Sequence, residues 1–403
     1  MKNHFLSLIY VQEFGCVVYN YYLCKVIITD NVHMKQYIFL IIMSLLPFTA
    51  GAQKITLGSA ITKDGGEYNG ELVSGKPDGK GKTIYKNGNT YEGEYEKGKR
   101  QGYGIYTFFD GEKYEGEWFQ DQQHGHGIYY FSNNNRYDGL WFRDYQHGHG
   151  VMYYYNGDKY DGEWKQDKRS GKGIYLFANG AFYKGDWQND KRHGKGFFDW
   201  GDGASYDGEW KDNMRSGVGT YKYADGDSYT GQWKDDKMHG RGIYRFQNGD
   251  IYEGDYENGA RTGSGIFKYA NGDKYTGQFL EGDKQGQGTF VWKSGDTYVG
   301  QWKSDKQHGK GKLTKKGGDT VEGSFQNGQP NGECVVRFAD GSKFKGIYKN
   351  GKRNGAAIEE DKDGKRFEGV YRDDVRDGDF VEKDRNGNVT ARGTYTRGHR
   401  QVR

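Results

Sequence analysis

The sequence predicts an all-β fold: an elongated, rod-like, single-layer antiparallel sheet of tandem 23-residue β-hairpin repeats. Three observations predict it. A tyrosine followed two residues later by glycine recurs every 23 residues. Large residues and glycines fall at alternating positions, the signature of strands. The 403-residue chain combines 67 glycines and only 3 prolines with 16% aromatic residues. At 33% hydrophobic, the composition is too lean for a wide core and resembles disorder, but 35 Tyr, 22 Phe and 9 Trp place the apolar content in rings.

Taken in order, the chain begins with an upstream segment, 1–33, followed by a signal-peptide pattern over 34–52. Met34 and Lys35 precede an apolar run from Tyr37 to Leu46, then Pro47 and the small residues Ala50, Gly51 and Ala52 before Gln53. The run is shorter than the roughly 20 residues of a membrane-spanning helix. Export to the periplasm, cell envelope or medium is therefore expected, with cleavage near Ala52. Met34 reads as the true start, with a long leader as the alternative. Cys16 and Cys24 lie upstream, so Cys334 is alone in the mature chain and no internal disulfide framework is expected.

Residues 53–67 read as a half repeat, 68–390 as fourteen repeats, and 391–403 as a partial repeat and tail. With Tyr68 as position 1 of the first unit, glycine fills positions 3 and 12 in all fourteen copies. Position 14 is glycine in eleven, then Cys334, Ala357 and Phe380. The clearest units carry Tyr114, Tyr137, Tyr160, Tyr183, Tyr206 and Tyr229 at position 1, and Trp118, Trp141, Trp164, Trp187, Trp210 and Trp233 at position 5. Their structural glycines include Gly116, Gly139 and Gly162 at position 3, Gly125, Gly148 and Gly171 at position 12, and Gly127, Gly150 and Gly173 at position 14.

The pattern of Tyr114, Gly116, Trp118, His124, Gly125, Gly127 and Tyr129 resembles the MORN repeat, from about residue 58 to the end of the chain. That resemblance implies a ribbon of antiparallel hairpins and a role in attachment, organisation or membrane association. Some members of the family carry a lipid kinase or lysine methyltransferase domain beside the repeats, for which this chain has no room.

Period-two alternation puts positions 1, 3 and 5 on one face with positions 12, 14, 16 and 18. A turn centred on positions 8 and 9, Asp167-Lys168 for example, sets position 5 against 12, so that Trp164 lies over Gly171. A second turn at Asn179-Gly180 or Asn271-Gly272 is expected to pair positions 18, 16 and 14 with the next Tyr, Gly and Trp. In the third unit Asn134 replaces the turn glycine, a residue that tolerates the left-handed conformation. On the opposite face Glu163 is expected across from Lys172, and Asp186 across from Lys195. Two strands per unit advance the sheet by roughly 9–10 Å, giving a rod well over roughly 100 Å long.

Histidine recurs at position 11 (His124, His147, His193, His239 and His308) and twice at position 13 (His126 and His149). Four of these, His124, His126, His147 and His149, are the candidates for an adventitious Zn or Cu site. Successive units stand about 10 Å apart, too far for one ion, so both positions read as solvent-facing polar residues. No cofactor or metal is expected. The Gly-Lys-Gly triplets lie in strands and lack the strand-to-helix context of a phosphate loop. The recurring carboxylates, such as Glu115 and Glu117, read as architecture, and no Ser-His-Asp or Cys-His arrangement stands out, so no catalytic residue is assigned.

The expected function is that of a non-enzymatic, exported scaffold that offers an elongated binding surface to a protein partner or the cell envelope. Phospholipid or membrane-surface binding is the alternative, and carbohydrate or cell-wall binding along the aromatic ribbon a second one. The formal charge of +4, with both signs interleaved, disfavours nucleic acid and strong attraction to anionic lipid. The altered units from Val321 onward read as capping repeats or a homodimer surface.

Overall fold

The computed structural model describes residues 54–403; the signal-peptide pattern and the upstream segment lie outside them. All regular structure among the described residues is β-strand, in one antiparallel sheet in which strands pair with their neighbours in sequence, except that Val375–Arg376 and Gly378–Lys383 both pair with Arg366–Arg372. Strand Ile55–Ile61 stands at one edge and His399–Val402 at the other.

One unit illustrates the plan. Strands Lys159–Lys165 and Lys168–Leu176 form a hairpin, and the second of them pairs with Phe182–Gln188 of the next unit. The turn lies at positions 7 and 8, one residue earlier than the sequence reading placed it. Gln166 and Asp167 both have positive φ, 50° and 62°, the paired left-handed geometry of a type I′ turn whose twist matches the flanking strands. Trp164 therefore pairs with Arg169, not with Gly171. Beyond it the register shifts, so that Gly162 pairs with Gly173 and Tyr160 with Tyr175, as expected. The shift is a bulge at positions 11–13 centred on Gly171, whose φ of +60° favours glycine. Position 12 is thus glycine for its backbone conformation, and a Cβ there would meet the Glu163 carboxylate on the polar face, not a ring.

The seam between hairpins also differs from expectation. Leu176 and Phe182 close a five-residue loop, Phe177–Ala181, so position 16 pairs with the next Tyr, 14 with the next Gly, and 12 with the next Trp. At this seam glycine faces glycine (Gly173 with Gly185) and ring faces ring (Tyr175 with Tyr183). Asn134 has φ 65° in the third inter-hairpin turn, as its sequence position implied.

Rings do stack on bare backbone, but along the strand and not straight across it. Each leading tyrosine leans over the Gly-Gly pair of its own hairpin. A Cβ added at Gly162 would stand 2.6 Å from the Tyr160 hydroxyl. That hydroxyl donates to the Glu163 carbonyl at 3.1 Å, and the equivalent bond recurs from Tyr68 to Tyr298. Eleven such tyrosines, Tyr68 to Tyr298, have no exposed surface at all. Tryptophan locks the next layer. Trp164 stands edge-on to its own Tyr160 (5.2 Å between centroids, 87°) and to Tyr137 of the preceding unit (5.4 Å, 87°). Its indole N–H donates to the Gly150 carbonyl at 3.1 Å, so one side chain holds both ring contact and hydrogen bond across the hairpin seam.

The departures at the C-terminal end follow from the same contact. Where tyrosine becomes Val321, Phe344 or Phe367, there is no hydroxyl over the glycine pair, and position 14 is filled by Cys334, Ala357 or Phe380. Cys334 takes over the missing bond: its thiol approaches the Ser324 carbonyl at 3.5 Å, the position-4 carbonyl to which tyrosine donates elsewhere.

Gly162→Ala is expected to destabilise the sheet by about 1–3 kcal/mol, the usual cost of overpacking a filled site. Gly317→Ala, at a glycine with open space around it and no positive φ, is expected to be neutral. Urea titration followed by tryptophan fluorescence compares the two; equal midpoints would show that the ring does not need the bare glycine.

Candidate functional site

The two faces of the sheet are chemically distinct. One carries positions 1, 5, 10, 16 and 18. Its leading tyrosines and tryptophans are buried, and above them the rings of positions 16 and 18 form a half-buried row. The row passes from Tyr154 to Tyr175, Phe177, Phe198 and Trp200 with centroid separations of 5.7, 4.6, 5.7 and 4.5 Å. It continues through Tyr221 and Tyr223 to Tyr244 and Phe246. From the thirteenth unit on, Glu359 and Glu382 replace position 16; Glu359 pairs with Arg353 at 3.3 Å and with Arg376, and the row ends in salt bridges.

Position 10 supplies the feature that the sequence reading did not isolate. Pairing with position 5 turns its side chain onto the aromatic face, where an arginine reaches the next hairpin. The Arg169 guanidinium lies 4.5 Å from the Trp187 ring centroid, and its Nε and Nη2 donate to the carboxylate and carbonyl oxygens of Asp190 at 3.2 and 3.0 Å. The backbone N–H of Arg169 also donates to the Asp190 carboxylate, at 3.0 Å. The same clasp joins Arg215 to Trp233 and Asp236 (4.4 Å to the ring; 3.0 and 2.9 Å to the oxygens), and Arg100 to Trp118 and Asp121. A planar cation bonded at its edge and stacked on its face is well suited to this cradle. The signal was present in sequence as Arg at position 10 and Asp at position 8. It stayed hidden because the bulge decides which face position 10 occupies.

At two seams the tryptophan and the aspartate are kept but the cation is not. Gln123 and Gln146 stand at position 10 before Trp141 and Trp164, while Asp144 and Asp167 keep the position-8 carboxylate and accept the glutamine backbone N–H at 2.8 Å each. Here the aromatic face opens into a groove of about 670 Å³ lined by both tryptophans, both aspartates and the row residues Phe131 and Tyr154.

The opposite face carries positions 2, 4, 13 and 15. Glu163 does not sit across from the Lys172 side chain; its carboxylate accepts the Lys172 backbone N–H at 3.1 Å and so caps the bulge. Asp186 caps the Lys195 N–H at 2.9 Å in the same way. Lys172 forms its ion pair with Asp186 of the following unit, its true cross-strand neighbour. The Gly-Lys-Gly triplets are part of this bulge.

The histidines are dispersed among these frameworks. His126 and His149 are exposed and pair with Asp138 and Asp161 of the next unit, each at 3.1 Å. His124 is half-buried between Phe119 and Phe142, not solvent-facing as expected, and its Nδ1 is buried without a hydrogen-bond partner. His147 lies near Phe142 at 5.8 Å. No group of three or more His, Cys, Asp or Glu side chains placed to hold a metal occurs among the described residues.

Burial raises the tyrosine phenols. Those of Tyr68, Tyr252 and Tyr298 are pushed up to about 12, with desolvation the leading cause in each. Tyr160 and Tyr183 move further in the same direction. The Asp158 carboxyl is held low: burial pushes it up, but hydrogen bonds from the Tyr175 hydroxyl (2.7 Å) and the Ala178 N–H (2.8 Å) outweigh that. This aspartate ties one inter-hairpin turn to the next.

Fold and face together define a tandem β-hairpin repeat protein with an aromatic ridge and no separate globular module among the described residues. The MORN repeat model matches eleven consecutive 23-residue windows over residues 68–320, then 322–343 and 344–366. The chain belongs to the MORN repeat family. No curated protein matches it. Among solved structures, the TCP10 domain of Danio rerio CPAP bound to a STIL peptide is 12% identical, covering 60% of this chain and 98% of that one at a TM-score of 0.29. The TCP domain of Drosophila melanogaster SAS-4 with a proline-rich motif of Ana2 is 14% identical, covering 44% and 85% at 0.21. Virginiamycin B lyase from Staphylococcus aureus is 10% identical, covering 76% and 96% at 0.13. At such scores these likenesses carry no argument about what the chain does.

The raised phenols give a pH dependence. A buried neutral phenol contributes stability that is fully present below the unfolded value of about 10 and is lost as pH rises through the folded value. Unfolding is therefore expected to set in between pH 10 and about 12, where Tyr68, Tyr252 and Tyr298 ionise. Tyrosinate absorbance and circular dichroism should change together; ionisation of most tyrosines near pH 10 with the strand signal intact would contradict their burial.

Proposed function

We propose that the protein is a non-enzymatic scaffold, exported from the cytoplasm, whose long sheet presents a repeated binding surface to protein partners at the cell envelope. The observation that carries this reading is the half-buried row of rings at positions 16 and 18, sustained over successive units with no covering layer among the described residues. Rings already fixed by their neighbours lose little freedom on docking, which favours binding over such a surface. The carboxylates that recur on the other face are committed to capping bulge N–H groups, which supports a structural role for them. Export rests on the pattern from Met34 to Gln53, and self-association on the altered units from Val321.

The lipid reading has less support. The formal charge is +4 with alternating signs, and among the described residues no helix is long and apolar enough to cross a membrane. The carbohydrate reading draws on the same ring row.

Cross-linking mass spectrometry in the native compartment is expected to place protein partners on lysines bordering the ring row, with a mature N-terminus at or near Gln53. Stoichiometric co-sedimentation with phosphatidylserine-containing vesicles, or retention on cell-wall glycan, in the absence of protein cross-links would replace this reading with one of the alternatives.

A further inference from the structure

We infer that the third to fifth repeats hold two adjacent docking cradles for the guanidinium groups of an arginine-bearing peptide segment, formed by Trp141 with Asp144 and by Trp164 with Asp167. The inference rests on the protein-binding reading above and names the chemistry of the partner.

The molecule itself supplies the template. Of the seven tryptophans at position 5, five are covered by a cation from the preceding hairpin: Arg100, Arg169, Arg192, Arg215 and Lys284. In each case an aspartate, or Asn213, stands three residues beyond the tryptophan. Trp141 and Trp164 are the other two. They keep the aspartate but receive glutamine, and neither carboxylate takes part in an ion pair among the described residues. The Gln122 amide reaches Asp144 at 3.3 Å, which leaves that carboxylate its charge.

Everywhere else that position 10 lacks a cation, the rest of the cradle is lost with it. After Pro77, Met238, Gln307 and Pro330 the next position 5 is Tyr or Phe, and the next position 8 is Gly98, Gly259, Gly328 or Gly351. A purely structural role for Asp144 and Asp167 in accepting a backbone N–H does not account for this, since the seams at Met238, Arg261 and Gln307 have that N–H and face Gly259, Gly282 and Gly328 instead of an aspartate. The groove of about 670 Å³ over these two units is where the arginines of other units would lie.

The geometry selects the ligand. In the Arg169 and Arg215 clasps the cation stacks on the indole and donates to a carboxylate and a backbone carbonyl, which a guanidinium does in one plane and a quaternary ammonium, having no N–H, does not. Successive cradles lie one repeat apart, roughly 9–10 Å for two strands. Three residues of polyproline II span roughly 9.3 Å, so arginines at i and i+3 of an extended, proline-bearing segment reach both.

The test uses the full chain and the peptide acetyl-Pro-Arg-Pro-Pro-Arg-Pro-amide, with binding read by calorimetry and tryptophan fluorescence. Binding that weakens at least tenfold when both arginines are replaced by citrulline is expected, as is weakening with added salt. The double variant Gln123→Arg, Gln146→Arg gives the cradles internal occupants of the kind their neighbours have; it should fold at least as stably and lose the peptide by at least tenfold. Asp144→Asn with Asp167→Asn provides a second variant, since Asn213 caps the same N–H in its own seam at 2.9 Å, and it too should bind at least tenfold more weakly. No binding by the parent chain, equal binding of the citrulline peptide, or undiminished binding by either folded variant would overturn the inference while leaving the scaffold reading standing. Co-sedimentation with phosphatidylcholine vesicles that both variants abolish would assign the cradles to choline headgroups and overturn it as well.

Discussion

The sheet depends on one contact: a tyrosine ring lying over two glycines while its hydroxyl donates to a carbonyl three residues ahead. A single-layer sheet has no second layer to bury its apolar face, so its side chains must cover its own backbone. Lying flat along the strand, the Tyr160 ring fills the space above Gly162 and Gly173 that any side chain there would contest. The phenol would be costly to bury unpaired, and the Glu163 carbonyl removes that cost. The exchange at Cys334 makes the argument from the other side. When the ring is gone the glycine is gone, and a thiol moves towards the same carbonyl.

Connection between hairpins is a separate problem, answered at three places along a seam such as that between Arg169 and Asp190. In the middle the tryptophan bridges two tyrosines and bonds to a glycine carbonyl of the previous unit. At one end the arginine clasp holds the next type I′ turn, and at the other an aspartate such as Asp158 accepts the N–H of Ala178 in the next loop. In a repeat array stability is close to a sum of units and nearest-neighbour seams. Ties at both margins and the centre leave little freedom for one hairpin to rotate against the next.

The fold class, the period, the in-strand pairing of Tyr160 with Tyr175 and Gly162 with Gly173, and the left-handed Asn134 were all legible in sequence, because each follows from period two or from a residue's own φ preference. The register near the turn was not. Glycine at position 12 has two physical reasons available, room for a ring or a positive φ, and the repeat fixes it equally under either. Choosing the ring placed Trp164 over Gly171; the bulge that glycine makes shifts the pairing by two residues and sends Arg169 onto the aromatic face. The arginine clasp was out of reach for the same reason, since no local property of position 10 announces which side of a bulged strand it takes. The carboxylate pairs failed similarly: Glu163 and Lys172 are near each other, but the bulge presents the lysine's backbone N–H to the acid and turns its side chain to the following unit.

In a chain whose repetition accounts for nearly every residue, function is best sought where the repetition changes without the packing changing. Loss of tyrosine at Val321, Phe344 and Phe367 is compensated locally, since Cys334, Ala357 and Phe380 fill what was vacated, and so speaks to stability. The change at Gln123 and Gln146 differs in kind. The tryptophan, the aspartate and the turn around them persist, and no cation among the described residues lies over either indole. Asp144 and Asp167 stand exposed at the rim of the groove, beside two indoles that no cation of the preceding hairpin covers. An outside guanidinium gains there what Arg169 gains over Trp187 at Asp190, a ring face and a carboxylate together, and that gain on docking is what a recognition site requires.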